Sequence, residues 1–254
     1  MTTAWLGLAA LIAAQIAYPL VDGPARAVAV VVTVAIGFAL SVGHAAATRG
    51  ARTALGLVAV FTGGGLAVEA VGVATGFPFG GYAYAGALGP RLFGVPLVVP
   101  LAWAWMAWPA WLAAARLTGG SVQRIGLAAV ALAAWDLFLD PQMVAAGYWR
   151  WSGVGTHLPG VPGVPVLNYL GWFGVSLGLM AIFAILADRG PASPRDAPML
   201  ALYLWTYYSS VLAHAVFLGL PASAGWGALG MGLIAVPLTV RLIAPLWTSA
   251  PAPR

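Results

Sequence analysis

Eight stretches of roughly twenty residues, nearly free of charge, occupy most of this chain and leave few ways for it to fold. A helix of about 20 apolar residues crosses a hydrocarbon layer ~30 Å thick. The runs fall near 3–20, 25–47, 53–75, 95–115, 123–145, 166–187, 198–219 and 225–246. The first run and the last pair are the weakest, so the count is about eight with seven as the alternative. Of 254 residues, 62% are hydrophobic and 7% charged, with a mean hydropathy of +0.94. Soluble domains carry about 25% charged residues, so this chain has no aqueous surface to display. The expected fold is all-α: a polytopic transmembrane helix bundle forming one integral membrane domain over residues 1–254.

Charge placement adds an orientation. The basic residues are all Arg, and they stand singly or in pairs between apolar runs. A nucleic-acid partner is therefore not expected despite a pI near 10.0. With eight spans, Arg49, Arg52, Arg116, Arg124, Arg189, Arg195, Arg241 and Arg254 fall on one side, and Arg26, Arg91 and Arg150 on the other. Cytoplasmic flanks carry the basic excess, so both termini are expected in the cytoplasm of a prokaryotic cell, with lipid as the surround. The N-terminus lacks a basic n-region, and its first run is expected to be a retained helix. No cysteine is present, which excludes disulfides, thiolate metal sites and cysteine nucleophiles.

The polar chemistry gathers on the side opposite the Arg excess. Glu69, Asp136 and Asp140 stand near the outer ends of their spans, and Asn168 begins the sixth. Two connections, 76–94 and 147–165, are rich in Gly, Pro, Tyr and Trp and are expected to fold at headgroup depth. An ionisable residue inside a span costs roughly 2.5–3.5 kcal/mol on insertion scales, which makes each a functional candidate. Asp136 and Asp140 are four apart and share a helix face. Repulsion between them favours one retained proton, an acid and a base in one place. The alternative is pairing with Arg150 or Arg91, or capping of interfacial backbone. Pro141 is expected to bend the helix and to disfavour helical geometry at Asp140.

Glu69 is either a third carboxylate of the site or a partner for Arg91; the GGGLAV run before it permits close helix approach. His214 is either a proton shuttle or an interhelical hydrogen-bonding residue. His157 belongs to a loop and His44 to the cytoplasmic interface. Three scattered histidines make no metal site, and none is expected. Most Trp residues read as belt and packing. Tyr82, Tyr84, Tyr169 and Trp172, beside the acids, are the better candidates for an apolar slot whose π-faces stabilise a cation.

The blocks GGYAYAGALGPRLFGVPLVVPLAW, AWDLFLDPQMVAAGYWRW and GVPVLNYLGWF resemble the membrane carotenoid biosynthesis proteins of the CruF type. These are carotenoid 1,2-hydratases that include the bisanhydrobacterioruberin hydratases of C50 carotenoid synthesis. The resemblance covers roughly residues 60–220. It implies a hydro-lyase adding water to the terminal double bond of an acyclic carotenoid, with no redox cofactor, metal or nucleotide. Other enzymes of the same pathway are possible partners. On this reading Asp136 and Asp140 divide the acid and base roles, Glu69 is the spare, and Tyr82, Tyr84, Trp135, Trp149, Asn168, Tyr169, Trp172 and His214 contact substrate.

Rival readings are a carotenoid cyclase or other terpenoid enzyme, which shares the first protonation, and a proton-coupled transporter. A transporter needs polar groups through both leaflets, and the inner halves of the spans are nearly bare. A non-catalytic scaffold explains the helices but not the clustered acids.

Overall fold

In a computed structural model the chain is described over residues 2–85, 88–187, 190 and 192–248. Arg189 and Arg254, used above for orientation, lie outside the described residues. Among these described residues eight helices follow one another. They are α1 (Thr2–Ala17, extended by a 3₁₀ turn at Tyr18–Leu20), α2 (Gly23–Arg49), α3 (Ala51–Thr75, with a π-turn at Val58–Gly63) and α4 (Val98–Leu117). Then come α5 (Ser121–Ala145), α6 (Val166–Leu186), α7 (Ala197–Leu212, continued by a π-turn at Ala213–Phe217) and α8 (Pro221–Thr248). Seven are long and apolar enough to cross a membrane. The exception, α7, carries the polar run Trp205–Ser210 yet still joins the two faces of the bundle. At one end Asp196 bonds Arg49 beside α2, and at the other His214 meets Gln142 of α5 and Ser223 of α8.

The central helix is α4, packed against α2, α3, α5, α7 and α8. Its Trp103, Trp108 and Trp111 are among the largest fully buried side chains. Trp103 fits because Gly65 on α3 presents no side chain: a Cβ there would stand 3.0 Å from the indole. Thus the glycine run of α3 does bring two helices into close approach.

At two prolines inside helices, Pro109 and Pro141, the freed carbonyl finds a donor on a neighbouring helix. Pro109 cannot bond the carbonyl of Trp105, which instead accepts from Ser41 Oγ of α2 at 2.8 Å. Pro141 likewise frees Leu137, whose oxygen accepts from Ser223 Oγ of α8 at 2.8 Å. In lipid such substitutes are obligatory, since no water reaches the backbone. The expected disruption at Pro141 is therefore corrected: Asp140 is helical, and α5 breaks earlier, between Ala133 and Asp136.

The two aromatic connections fold against each other. Strand β1 (Tyr82–Tyr84) pairs antiparallel with β4 (Trp149–Trp151), with Tyr82 opposite Trp151 and Tyr84 opposite Trp149. A second small ladder joins β2 (Arg91–Leu92) to β3 (Val95–Pro96), which delays the start of α4 to Val98. Alternation along β1 and β4 turns Tyr82, Tyr84, Trp149 and Trp151 to one face and Ala83 and Arg150 to the other.

Candidate active site

Beneath the β1–β4 ladder lies a cavity of about 450 Å³, walled mainly by apolar and aromatic side chains. Two carboxyl groups line it, Glu69 from α3 and Asp140 from α5. Glu69 is 3% exposed and accepts three hydrogen bonds. Tyr82 and Tyr84 donate to Oε2 at 2.5 and 2.7 Å, and the indole of Trp103 donates to Oε1 at 3.1 Å. The period-two strand is what aims both tyrosines at one carboxylate. Burial, and then the Glu69 charge, push both phenols above their usual range, so they remain donors. Helix α3 admits Tyr82 through Gly72, where a Cβ would stand 2.7 Å from the phenol oxygen.

Asp140 is held by two donors, the Trp149 indole at 3.0 Å and the Asn168 amide at 2.5 Å. The same Asn168 nitrogen donates to Asp136 at 2.7 Å. One nitrogen thus spans both acids, as the four-residue spacing on one face requires. Asp136 is fully buried but does not line the cavity, and its Oδ1 has no partner among the described residues. It stands behind Asn168, one layer deeper than Asp140.

Among the described residues no arginine bonds this cluster. Arg91 and Arg150 are exposed, Arg150 on the outward face of β4, and the described ion pairs are Arg26–Asp22 and Arg49–Asp196. All three acids are supported by neutral donors.

The aromatic candidates divide. Tyr82, Tyr84, Trp135, Trp149 and Trp172 line the cavity with Asn168. Trp172 stacks on Trp103, centroids 3.9 Å apart and planes 5° from parallel, and Trp135 meets Trp172 edge-on at 6.4 Å. Tyr169 and His214 are placed elsewhere. The Tyr169 phenol is buried outside the cavity wall with no partner among the described residues. His214 is fully buried against Phe138 and lies between Ser223 and Gln142. Because the Ser223 proton goes to Leu137, Ser223 accepts from His214 Nδ1–H at 2.9 Å. His214 therefore braces α5, α7 and α8, and Gln142 is the member of that chain that reaches the cavity.

Trp103 and Trp151 were not singled out from the sequence. Trp103 touches Glu69 and Trp172 together, and Trp151 fixes the ladder by donating to the Phe79 carbonyl at 2.9 Å. Nothing local distinguishes Trp103 from its neighbours in AWAWMAWPAW; only the contact with Gly65 does.

His157 is exposed in its loop, as expected. His44 stands at the Arg49 end of α2, as expected, but is buried within the bundle there. It is 5% exposed, accepts from the Trp108 indole at 3.0 Å and lies 2.9 Å from the Arg195 carbonyl. Beside it is a buried pair absent from the sequence reading: Arg49 Nη2 lies 2.9 Å from both oxygens of Asp196.

Fold and site together define a polytopic helical membrane protein with buried carboxylates around an apolar, aromatic cavity. The chain belongs to the carotenoid biosynthesis protein family, whose model matches residues 26–240. It is similar to bisanhydrobacterioruberin hydratase of Haloarcula japonica, 32% identical over 192 residues, covering 70% of this chain and 63% of the relative. The chain therefore spans less than two thirds of that relative's length. No solved structure matches it.

Proposed function

We propose that this protein is a carotenoid hydratase, adding water to the terminal double bond of an acyclic carotenoid in a prokaryotic cell membrane. The observation that carries the reading is the presence of Asp140 and Glu69 in one apolar, aromatic cavity, where their donors among the described residues are all neutral. The name of the Haloarcula japonica relative points the same way. Three ionised carboxyls in a low-dielectric wall without a cation are strongly disfavoured. Among the described residues Glu69 has three donors, Asp140 two and Asp136 one. Donors favour the ionised form, so Glu69 carries the charge and the Asp136/Asp140 pair holds the proton.

In this mechanism Asp140, the member of the pair on the cavity wall, gives its proton to the penultimate alkene carbon. A tertiary cation forms at the terminal carbon, facing the Trp103–Trp172 stack and the Glu69 carboxylate. Water attacks that carbon, Glu69 takes the surplus proton, and a tertiary alcohol leaves. The proton returns from Glu69 to the aspartate pair through cavity water, so the net change is alkene plus water to alcohol. Asp136 acts through Asn168 and Asp140. The Arg excess supports an orientation with both termini in the cytoplasm and the cavity toward the outer face.

The test is expression in a bacterium accumulating lycopene, with pigments resolved by chromatography and mass spectrometry. The expected product is heavier by one water per modified end. An isomer of unchanged mass identifies a cyclase instead, and unaltered lycopene beside well-expressed protein refutes both.

A further inference from the structure

The cavity is not sealed, and its opening lies on an apolar part of the bundle surface. Most side chains on its wall are buried or half-buried, but Ile16, Leu20, Leu212 and Phe217 are 49, 67, 55 and 54% exposed on the bundle surface. A residue that is both cavity wall and outer surface marks a rim. All four are apolar, two on the end of α1 and two on α7. The deeper edge of this gap is closed by one hydrogen bond between the same helices, Trp205 Nε1 to Gln15 Oε1 at 2.9 Å. On the α7 side the rim follows the π-turn Ala213–Phe217, where the helix widens.

We propose that this α1–α7 gap is a lateral portal: the polyene enters from the bilayer with its reacting end inward and leaves the rest of its chain in lipid. The proposal rests on the hydratase reading for the identity of the ligand. Cavity size supports it. A pocket of about 450 Å³ encloses a drug-sized ligand, and a forty-carbon polyene is much larger. Apolar rim residues at a lipid-facing mouth require no desolvation of the polyene on entry, whereas the hairpin side of the cavity is roofed by the β1–β4 ladder.

The absence of cysteine makes the test clean. Leu212→Cys at the rim and Leu55→Cys, 69% exposed on α3 and off the cavity wall, are each alkylated with a pyrene maleimide in lipid nanodiscs. Labelled Leu212→Cys should convert lycopene at least tenfold more slowly than the same variant unlabelled. Its loss of rate on a ten-carbon acyclic terpene with the same isopropylidene end, short enough to pass a narrowed mouth, should be several-fold smaller than its loss on lycopene. Labelled Leu55→Cys should convert both as before labelling. Undiminished lycopene conversion by labelled Leu212→Cys overturns the portal while leaving hydration standing. Protection is read without turnover: bound lycopene should slow alkylation of Leu212→Cys several-fold and leave Leu55→Cys unaffected. Equal alkylation with and without lycopene overturns the portal. Failure of unlabelled protein to hydrate either compound, with protection intact, overturns the hydratase reading alone.

Discussion

Two groups of buried acids stand at opposite ends of this bundle and are satisfied in opposite ways. Asp196, 1% exposed, faces an arginine: both oxygens lie 2.9 Å from Arg49, and one also accepts from the Ser193 backbone at 2.8 Å. Its turn joins α2 to the start of α7, with His44 and Trp108 continuing the network into α4. Glu69, Asp136 and Asp140 are as deeply buried, yet their donors among the described residues are tyrosine, tryptophan and asparagine. A buried acid with its own cation is finished as chemistry, since its charge is spent on holding elements together. A buried acid with neutral donors keeps proton affinity that a substrate can use. Partner chemistry, more than burial, separates a structural carboxylate from a reactive one.

That contrast can be broken by substitution, and the largest expected effect is on stability. Asp196→Asn leaves Arg49 buried and unpaired, a change that costs about 3–5 kcal/mol. Thermal denaturation in detergent should fall sharply, while each molecule that remains folded converts carotenoid normally. Loss of conversion with unchanged stability would reverse the roles assigned to the two ends. Glu69→Gln should act in the other direction, lowering conversion by about a hundredfold with little change in melting, as loss of a general base does. The amide oxygen can still accept from Tyr82 and Tyr84, while the NH2 group loses the Trp103 donor at a cost of about 1 kcal/mol. Tyr84→Phe is the smallest of the series. Removing one of three donors to Glu69 should lower conversion by roughly tenfold or less, about 1 kcal/mol. An effect as large as that of Glu69→Gln would make Tyr84 itself a participant.

Much of this was legible in the sequence because hydropathy and rarity are local signals. Runs of twenty apolar residues announce helices wherever they occur, and the expected spans match the helices to within a few residues. Acids are rare in such runs, so Glu69, Asp136 and Asp140 stood out by type alone. Contacts between distant segments left no such mark. The pairing of Tyr82–Tyr84 with Trp149–Trp151 joins residues more than sixty positions apart, and it alone explains why both tyrosines reach Glu69. Trp103 looked like one packing tryptophan among several. His214 and Tyr169 lay close to the acids in expected depth, but rotation about their helices turned them away from the cavity. Asp196, in a polar connection, carries no local mark of its role, because nothing in its own segment brings Arg49 to it. The gap between α1 and α7 is a property of two helices that no stretch of either one specifies.

The central claim is that proton donation comes from the cationless aspartate pair through Asp140. Its most direct test is Asp140→Asn in the lycopene-accumulating bacterium, with product per folded molecule measured against the unsubstituted protein. The amide keeps the size of the side chain and can still accept from Trp149 while losing the Asn168 donor, so membrane insertion should not change and stability should fall by about 1–3 kcal/mol. Hydrated product should fall by a thousandfold or more, to the limit of detection. Conversion within a few-fold of the unsubstituted protein would remove Asp140 from the chemistry and contradict the mechanism.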